Sequence, residues 1–545
     1  MKMKRLSILI YLILLFVAPL SLWAQPKATF TRADSLRGTY GKYRANNDLR
    51  YYHLDIRVDP DKKFISGKVT VRFTMLKDDN RIQLDLFDNM QLGKIMWKGQ
   101  ELRYTREFNA FFVDFPSKLR TNTTQSIDVY YSGTIQETGR FKGVGFDKDK
   151  EGNPWITSAC QGTGASMWWP NKDHQSDEPD SVRMSIAVPN GLMDVSNGQF
   201  KGSKDLGDGY TRWDWLVTYP INNYTVSINI GKYQHLADKF NGLDMNYYVM
   251  PYNLEKAKLQ FSQAKPMMGC YEKYFGEYPF KRDGYKLVEV PYSGMEHQSA
   301  VTYGNHFMNG YLERDWTGVG ISPRFDFIII HESGHEWFGN SITSKDIADM
   351  WIHEGFDTYA EAVYVECLYG KEDALLYISG YKPKVQNKFP IIGPYDVNQP
   401  GDQRDMYFKG ILFLNTLRSV LNNDTQWWKL LYDYNQTFKY KTITTDQVVA
   451  FFTHYMNRNV RPIFDQYLKY PHPPKLQVKF GVDEMSYRWQ TDVRGFVMPF
   501  TAKVWEQTHR FNATNQWQTM RKKGITPDTF KPDMDLFYYD LEVVK

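Results

Sequence analysis

Apolar and polar residues alternate one by one through the first part of the chain. Leu54, Ile56 and Val58 alternate with Asp55, Arg57 and Asp59, and Val69, Val71, Phe73 and Met75 repeat the rhythm. Tyr224, Val226, Ile228 and Ile230 do so again near the end of this region. A period of two sends successive side chains to opposite faces, so it predicts half-buried antiparallel strands over roughly 47–236. The texture changes near Asn253. LEKAKLQFSQAKPMMGCYEKYFGEYPF has helical spacing and stops at a proline. One further strand follows in KLVEVPYSGMEH, after which residues 325–467 read mainly as helices joined by loops. KYPHPPKL, residues 469–476, is a proline-rich break. Beyond it LQVKF, YRWQT, FVMPFTAKVWEQ and LFYYDLEVV return to strand composition, as in a small β-sandwich.

The pattern predicts a multidomain α+β protein. Its parts are an N-terminal antiparallel β domain over 25–240, a mainly helical domain over 241–470 and a C-terminal β-sandwich over 471–545. The length agrees, since 545 residues are too many for one hydrophobic core. Residues 1–24 stand apart from the fold. MKMKR is a basic start, LSILIYLILLFVAPL an apolar run, and LWA precedes a cleavage site after Ala24. That is the pattern of a signal peptide. The alternative is an uncleaved anchor, because the run is nearly long enough to span a bilayer. Export to the periplasm or beyond is therefore expected, with no membrane span after cleavage.

Charge removes one class of partner. The net charge is +5, and it is close to neutral without Lys2, Lys4 and Arg5. Nothing here favours nucleic acid. Cys160, Cys270 and Cys367 are too few and too scattered to suggest a disulfide framework, and Cys160 is expected to pack rather than react. Aromatic residues reach 16%, a level that bulky sheets or an aromatic-lined cleft would explain.

The chemistry concentrates in HESGHEWFGN, residues 331–340. Residues four apart share a helix face, so His331 and His335 project together. Two imidazoles on one face bind a zinc ion, and the intervening Glu332 can reach a water on the metal. A chance match in a chain of this length arises on the order of 1% of the time. A catalytic zinc needs a third protein ligand, and DMWIHEGFDTYAEAVYVECLYG supplies two candidates. Asp349 and Gly370 read as the caps of its helix, which carries His353 and Glu354. Neighbours on a helix point about 100° apart, so only one of them faces the metal. Spacing alone does not choose between them.

HESGHEWFGN followed after eighteen residues by the glutamate of WIHEGFDTYAE closely resembles the aminopeptidase N family of zinc peptidases. The resemblance implies His331, His335 and Glu354 as ligands of one zinc per chain, with Glu332 as general base. It also implies Glu361, seven residues past Glu354, as a residue that orients a ligand histidine. His353 stands where the family commonly has asparagine. PYSGMEHQSAVTY, residues 291–303, resembles the family's G-x-M-E-N segment. Glu296 would then bind the substrate's α-amine, with Gly294 and Met295 on the backbone edge that pairs with the peptide. Ser293 and His297 depart from that pattern. SACQGTGASMWWPNKD is similar to the segment that gives a second amine-side group, Gln161, although Ala165 and Ser166 replace its usual arginines. RDMYFKGILFLNTL resembles a helix start whose tyrosine, here Tyr407, donates a hydrogen bond to the developing oxyanion.

Taken together, the resemblance implies a thermolysin-like catalytic domain between the two β domains. It further implies a zinc aminopeptidase acting on peptides with a free N-terminus. A zinc endopeptidase and a catalytically silent binding homologue are the alternatives. The large helical C-terminal domain of many relatives has no counterpart in the sequence, which implies a more open cleft or one closed by a partner subunit. An oligomer is possible but not indicated.

Overall fold

The computed structural model describes residues 30–138, 142–399 and 404–545. The signal-peptide segment lies outside the described residues. Strand Asn47–Asp59 shows why the alternation folds as it does: Leu54, Ile56 and Val58 are buried while Asp55 is exposed. It pairs antiparallel with Phe64–Met75 and parallel with Ser181–Pro189, within a sheet of ten strands among the described residues. A second sheet joins Met193–Ser196, Ile228–Gly231, Pro154–Ala159 and Gly143–Lys148. The strand ending at Ala159 delivers Cys160 and Gln161 towards the next domain.

Two readings of the alternation change here. Tyr224 is not in a strand; Asn223–Thr225 is a 3-10 turn, with the Asn222 side chain accepting from the Tyr224 N–H. The expected boundary at residues 240 and 241 falls inside a hairpin. Gln234–Phe240 and Leu243–Val249 belong to a five-stranded sheet with Tyr285–Glu289, Val301–Tyr303 and Gly294–Met295. A period of two marks a strand but not the sheet it joins.

Four helices position the central domain's side chains: α1 (Ala264–Phe275), α2 (Phe327–Gly334), α3 (Trp351–Tyr369) and α4 (Asp405–Leu421). Asp326 caps α2, accepting from the N–H groups of Ile328 and Ile329. Such a cap contributes about 1 kcal/mol. Gly370, at φ +98°, ends α3 as its sequence suggests. Asp349 does not start that helix. The cap position is Met350, and Asp349 instead accepts from the N–H and hydroxyl of Thr445 and from Tyr395. Helices α3 and α4 cross at glycines, for a Cβ on Gly410 would stand 2.7 Å from Gly355 Cα. This close crossing carries the first turn of α4 to the start of α3.

The cysteine expectation also needs correction. Cys270 on α1 and Cys367 on α3 form a disulfide across 97 residues, with their Cα atoms 6.1 Å apart. Their helices pack side by side, a fact that sequence spacing does not carry. A closed loop of that size stabilises by about 4–5 kcal/mol in the chain-entropy account. Cys160 is buried, and burial raises its thiol to about 12.

The C-terminal part is a sandwich. One sheet holds Gln518–Arg521, Glu484–Gln490, Lys475–Gly481 and Asp540–Val543, and the other holds Gln507–Thr514, Val497–Val504 and Phe530–Pro532. Its core is continuous with that of the helices: Phe413, Phe464, Tyr467, Trp489 and Phe500 fall in one buried cluster. The proline-rich break therefore separates strands from helices without separating their cores. No helix among the described residues is long and apolar enough to cross a membrane.

Candidate metal centre and substrate cleft

His331 and His335 lie one helical turn apart at the end of α2, and Glu354 faces them from the first turn of α3. One donor atom from each lies within 4.8 Å of the other two. Hydrogen bonds on the far side of each ring decide which nitrogens face inward. His331 Nδ1 lies 2.7 Å from Glu361 Oε1, and His335 Nδ1 lies 2.9 Å from the Phe338 carbonyl. Both partners only accept, so each Nδ1 carries a proton and Nε2 is the ring atom turned towards the would-be metal position.

A metal ion fits this arrangement. Glu354 Oε2 is buried with no hydrogen-bond donor, 3.3 Å from His335 Nε2 and 3.9 Å from His331 Nε2. Such a set of acceptors asks for a cation. Two imidazoles and one carboxylate with an open side towards a cavity are the donor set of a catalytic zinc. The field around the two rings is strongly negative, which favours any cation, proton or metal. Burial alone would lower the pKa of His331, yet Asp357 and Glu361 hold it well above the ordinary histidine value. His335 behaves alike, with Asp357 and Glu354 outweighing its burial.

Glu361 also accepts from the hydroxyls of Tyr377 and Tyr381, at 2.7 and 2.5 Å. His353, the rival ligand, points elsewhere: its Nε2 accepts from the Ser344 N–H at 2.8 Å. Burial lowers its pKa to about 3, so the ring is neutral.

The centre opens into a cavity of about 620 Å³. Its lining divides into two faces. On the His335 side, Gln161 Nε2 donates to Glu296 Oε1 at 2.8 Å and to Glu354 Oε1 at 2.6 Å. Glu296, Glu332 and His335 also offer atoms within 4.8 Å of one another. On the His331 side the wall is aromatic. Phe327 stacks on His331 at 5.4 Å, Trp316 lies 6.0 Å from Phe327 and 6.1 Å from Phe408, and Tyr311 is 5.0 Å from Trp316. Part of the chain's high aromatic content is spent here.

Gly294 and Met295 form the edge of the five-stranded sheet, pairing with Tyr303 and Thr302 on one side. A Cβ on Gly294 would come within 2.7 Å of the Ile328 side chain and 2.9 Å of that of Glu332, so a larger residue would push Glu332 out of place. Burial raises the Glu332 carboxyl to about 8, the two histidines opposing and Glu296 adding to the shift. A dication on the three ligands favours its ionised form. Tyr407 lies over His331 with ring centroids 6.2 Å apart, close enough to Glu354 for that carboxylate to act on its hydroxyl. Burial and that carboxylate keep it a protonated donor. Of the two departures from the family pattern, Ser293 lines the cavity, whereas His297 is buried and absent from the lining.

Three residues have roles that sequence reasoning misses. Asp357 Oδ2 sits 2.9 Å from His331 Nδ1 and 3.4 Å from His335 Nε2. Its signal is present in the sequence, since it lies three residues after Glu354 and shares that helix face. Tyr224 donates to Glu296 at 3.1 Å and meets His353 at 3.4 Å, and nothing in its local sequence announces it. His353 reads from its spacing as a rival ligand, not as a partner of tyrosine.

Comparison with known proteins adds a family and a fold. Residues 49–225 match the model of the peptidase M1 N-terminal domain, and residues 259–467 that of the peptidase family M1 domain. Together the two models of this one family match more than two thirds of the chain. "Probable aminopeptidase 2" of Sulfurisphaera tokodaii is 24% identical over 68% of the chain and 47% of its own length. "Leucyl aminopeptidase" of Saccharolobus solfataricus is 21% identical over 76% of the chain and 53% of its length. "Endoplasmic reticulum aminopeptidase 1" of Homo sapiens is 23% identical over 57% and 34%. The chain thus spans about half, or less, of the length of these curated relatives. A mutant M1 zinc metallopeptidase from Deinococcus radiodurans, solved with a Tyr-Ser-Ala substrate, superposes with a TM-score of 0.66. The two share 20% identity, over 80% of this chain and 97% of that one.

Proposed function

The chain belongs to peptidase family M1, and from that premise we propose that it is a zinc-dependent aminopeptidase releasing the N-terminal residue of peptides. The observation that carries this reading is the polar face of the cavity. Glu296 stands within 4.8 Å of Glu332 and His335, and Gln161 ties it to Glu354. Acceptors held so close to the metal ligands suit an ammonium one residue's length from the bond to be cut. An endopeptidase needs no such anchor, and a silent homologue needs no intact set of ligands.

The roles follow from position. His331, His335 and Glu354 hold the zinc, and Glu361 fixes the orientation of His331. When bound, the zinc supplies a Lewis acid that polarises the scissile carbonyl and lowers the pKa of the attacking water. Glu332 takes the water's proton and passes it to the leaving amine. Tyr407 donates to the carbonyl oxygen as it gains charge, and Glu296 with Gln161 holds the α-ammonium. Gly294 and Met295 offer backbone groups on the sheet edge for the peptide to pair with.

Export is part of the same proposal. Its supports are the basic and apolar start of the sequence and the Cys270–Cys367 pair, since disulfides persist in oxidising compartments. Fractionation of the native host should find the protein outside the cytoplasm.

A panel of aminoacyl chromogenic amides, assayed with and without a zinc chelator, tests the activity. Turnover of free-amine substrates, lost on chelation and restored by zinc, is expected. Equal cleavage of an N-acetylated peptide would point to an endopeptidase.

A further inference from the structure

Tyr224 and His353 come from different domains, yet their side chains meet behind Glu296. The Tyr224 hydroxyl stands 3.1 Å from Glu296 Oε1 and 3.4 Å from His353 Nδ1. All three residues are buried. The Ser344 N–H donates to His353 Nε2 at 2.8 Å. A ring nitrogen that accepts carries no proton, so the proton of this imidazole is on Nδ1. Tyrosine has a single hydroxyl hydrogen, and an ionised carboxylate only accepts. The chain therefore runs one way: Ser344 N–H to His353, His353 Nδ1–H to the Tyr224 oxygen, and Tyr224 O–H to Glu296 Oε1. Gln161 donates to that same oxygen at 2.8 Å. Two donors on Oε1 hold the carboxylate in one orientation and leave Oε2 for an incoming ammonium.

We infer that His353 and Tyr224 are positioning residues for recognition of the substrate's N-terminal ammonium, acting through Glu296. The inference rests on Glu296 being the amine anchor. It also gives a reason why His353 can stand where relatives commonly carry asparagine. Asparagine Nδ2 lies the same number of bonds from Cα as histidine Nδ1. It keeps the donor towards Tyr224 and loses the acceptor for Ser344. Glutamine does the reverse, placing its Oε1 where histidine has Nε2 and leaving Tyr224 without a donor. The two amides thus separate the function of the ring from its service to the backbone.

The test is steady-state kinetics on a leucine p-nitroanilide for the parent, Tyr224→Phe, His353→Gln, His353→Asn and Glu296→Gln. Zinc content and Tm are measured in parallel. For Tyr224→Phe and His353→Gln, KM should rise about tenfold, the size of one hydrogen bond to a charged group, with kcat within about threefold. Zinc content should not change. The KM of His353→Asn should lie at least about threefold below that of His353→Gln. A raised KM in Glu296→Gln with Tyr224→Phe within about twofold of the parent overturns the inference alone. So does a higher KM in His353→Asn than in His353→Gln, which would leave the ring a purely structural role. An unchanged KM in Glu296→Gln overturns the amine-anchor reading and the inference with it. Tyr224→Phe keeps the buried ring, so a folding failure of the histidine variants leaves a decisive arm.

Discussion

The two faces of the cavity are built in opposite ways. The metal face comes from two consecutive helices of one domain, with His331 and His335 on α2 and Glu354, Asp357 and Glu361 on successive turns of α3. The placing of these five side chains is set by helical periodicity and by one helix pair, with Tyr377 and Tyr381 supporting Glu361 from behind. The proposed amine face draws Gln161 and Tyr224 from the β domain, Glu296 from beside a sheet edge and His353 from the position before Glu354 on α3. Its geometry depends on how two domains dock. One face is local and richly supported; the other is a seam. The proposed division of labour follows, with bond cleavage on the first and choice of substrate end on the second. Substitutions on the metal face should therefore act on kcat or on metal retention, and those at the seam on KM.

The largest effect is expected at Glu332. Glu332→Gln removes the proposed base while keeping the shape, and kcat should fall by about 10²–10⁴, the range of general acid–base catalysis. Zinc content, read by metal analysis, should stay at one per chain, because Glu332 is not among the three proposed ligands. Loss of zinc in this variant would break the separation of base from ligand. Next comes Tyr407→Phe. One donor to a developing oxyanion contributes about 3–4 kcal/mol, so kcat should drop roughly 10²–10³-fold. A change confined to KM would move Tyr407 from the metal face to the seam.

The contrast also governs what the sequence discloses. Helical periodicity alone places His331 beside His335, and the same arithmetic puts Glu361 on the face of Glu354. Applied to Asp357, it gives the same face again. The strands of the β domain are legible because alternation and burial obey one period, as at Leu54, Ile56 and Val58. Where that period runs on, it misleads. Tyr224 carries the rhythm of a strand but lies in a 3-10 turn, and the hairpin at 234–249 joins the catalytic sheet. The Cys270–Cys367 bridge is hidden for a related reason, since which helices pack is a long-range property. Sequence spacing reports neighbours within an element and is silent about neighbours across a seam. Gln161 and Glu296 become candidates through resemblance, and only docking brings them to 2.8 Å.

A smaller effect is expected from the residue that supports the metal face. Glu361→Gln keeps an acceptor for His331 but removes the charge, and zinc affinity should weaken by about 10–100-fold. Competition with a graded chelator measures this directly. At saturating zinc, kcat should return to near the parent value. Failure to recover would mean that Glu361 shapes the cavity as well as the ligand.

The smallest effect, and the sharpest test of the seam, is at Gln161. Its amide bridges Glu296 and Glu354. An incoming ammonium must take over part of that bridge. Gln161→Ala removes one amine-side group and frees both carboxylates, so the loss of contact is partly offset by the easier approach of a cation. KM should rise roughly threefold to tenfold for free-amine substrates, with kcat nearly unchanged, as for a group that binds ground and transition states alike. Cleavage of N-acetylated peptides should remain negligible, because a neutral amide leaves the Glu296 charge buried without a cation. A fall in kcat equal to the rise in KM would show that Gln161 also steers Glu354. The seam would then reach into the metal face, and the separation between the two halves of the cavity would fail at that residue.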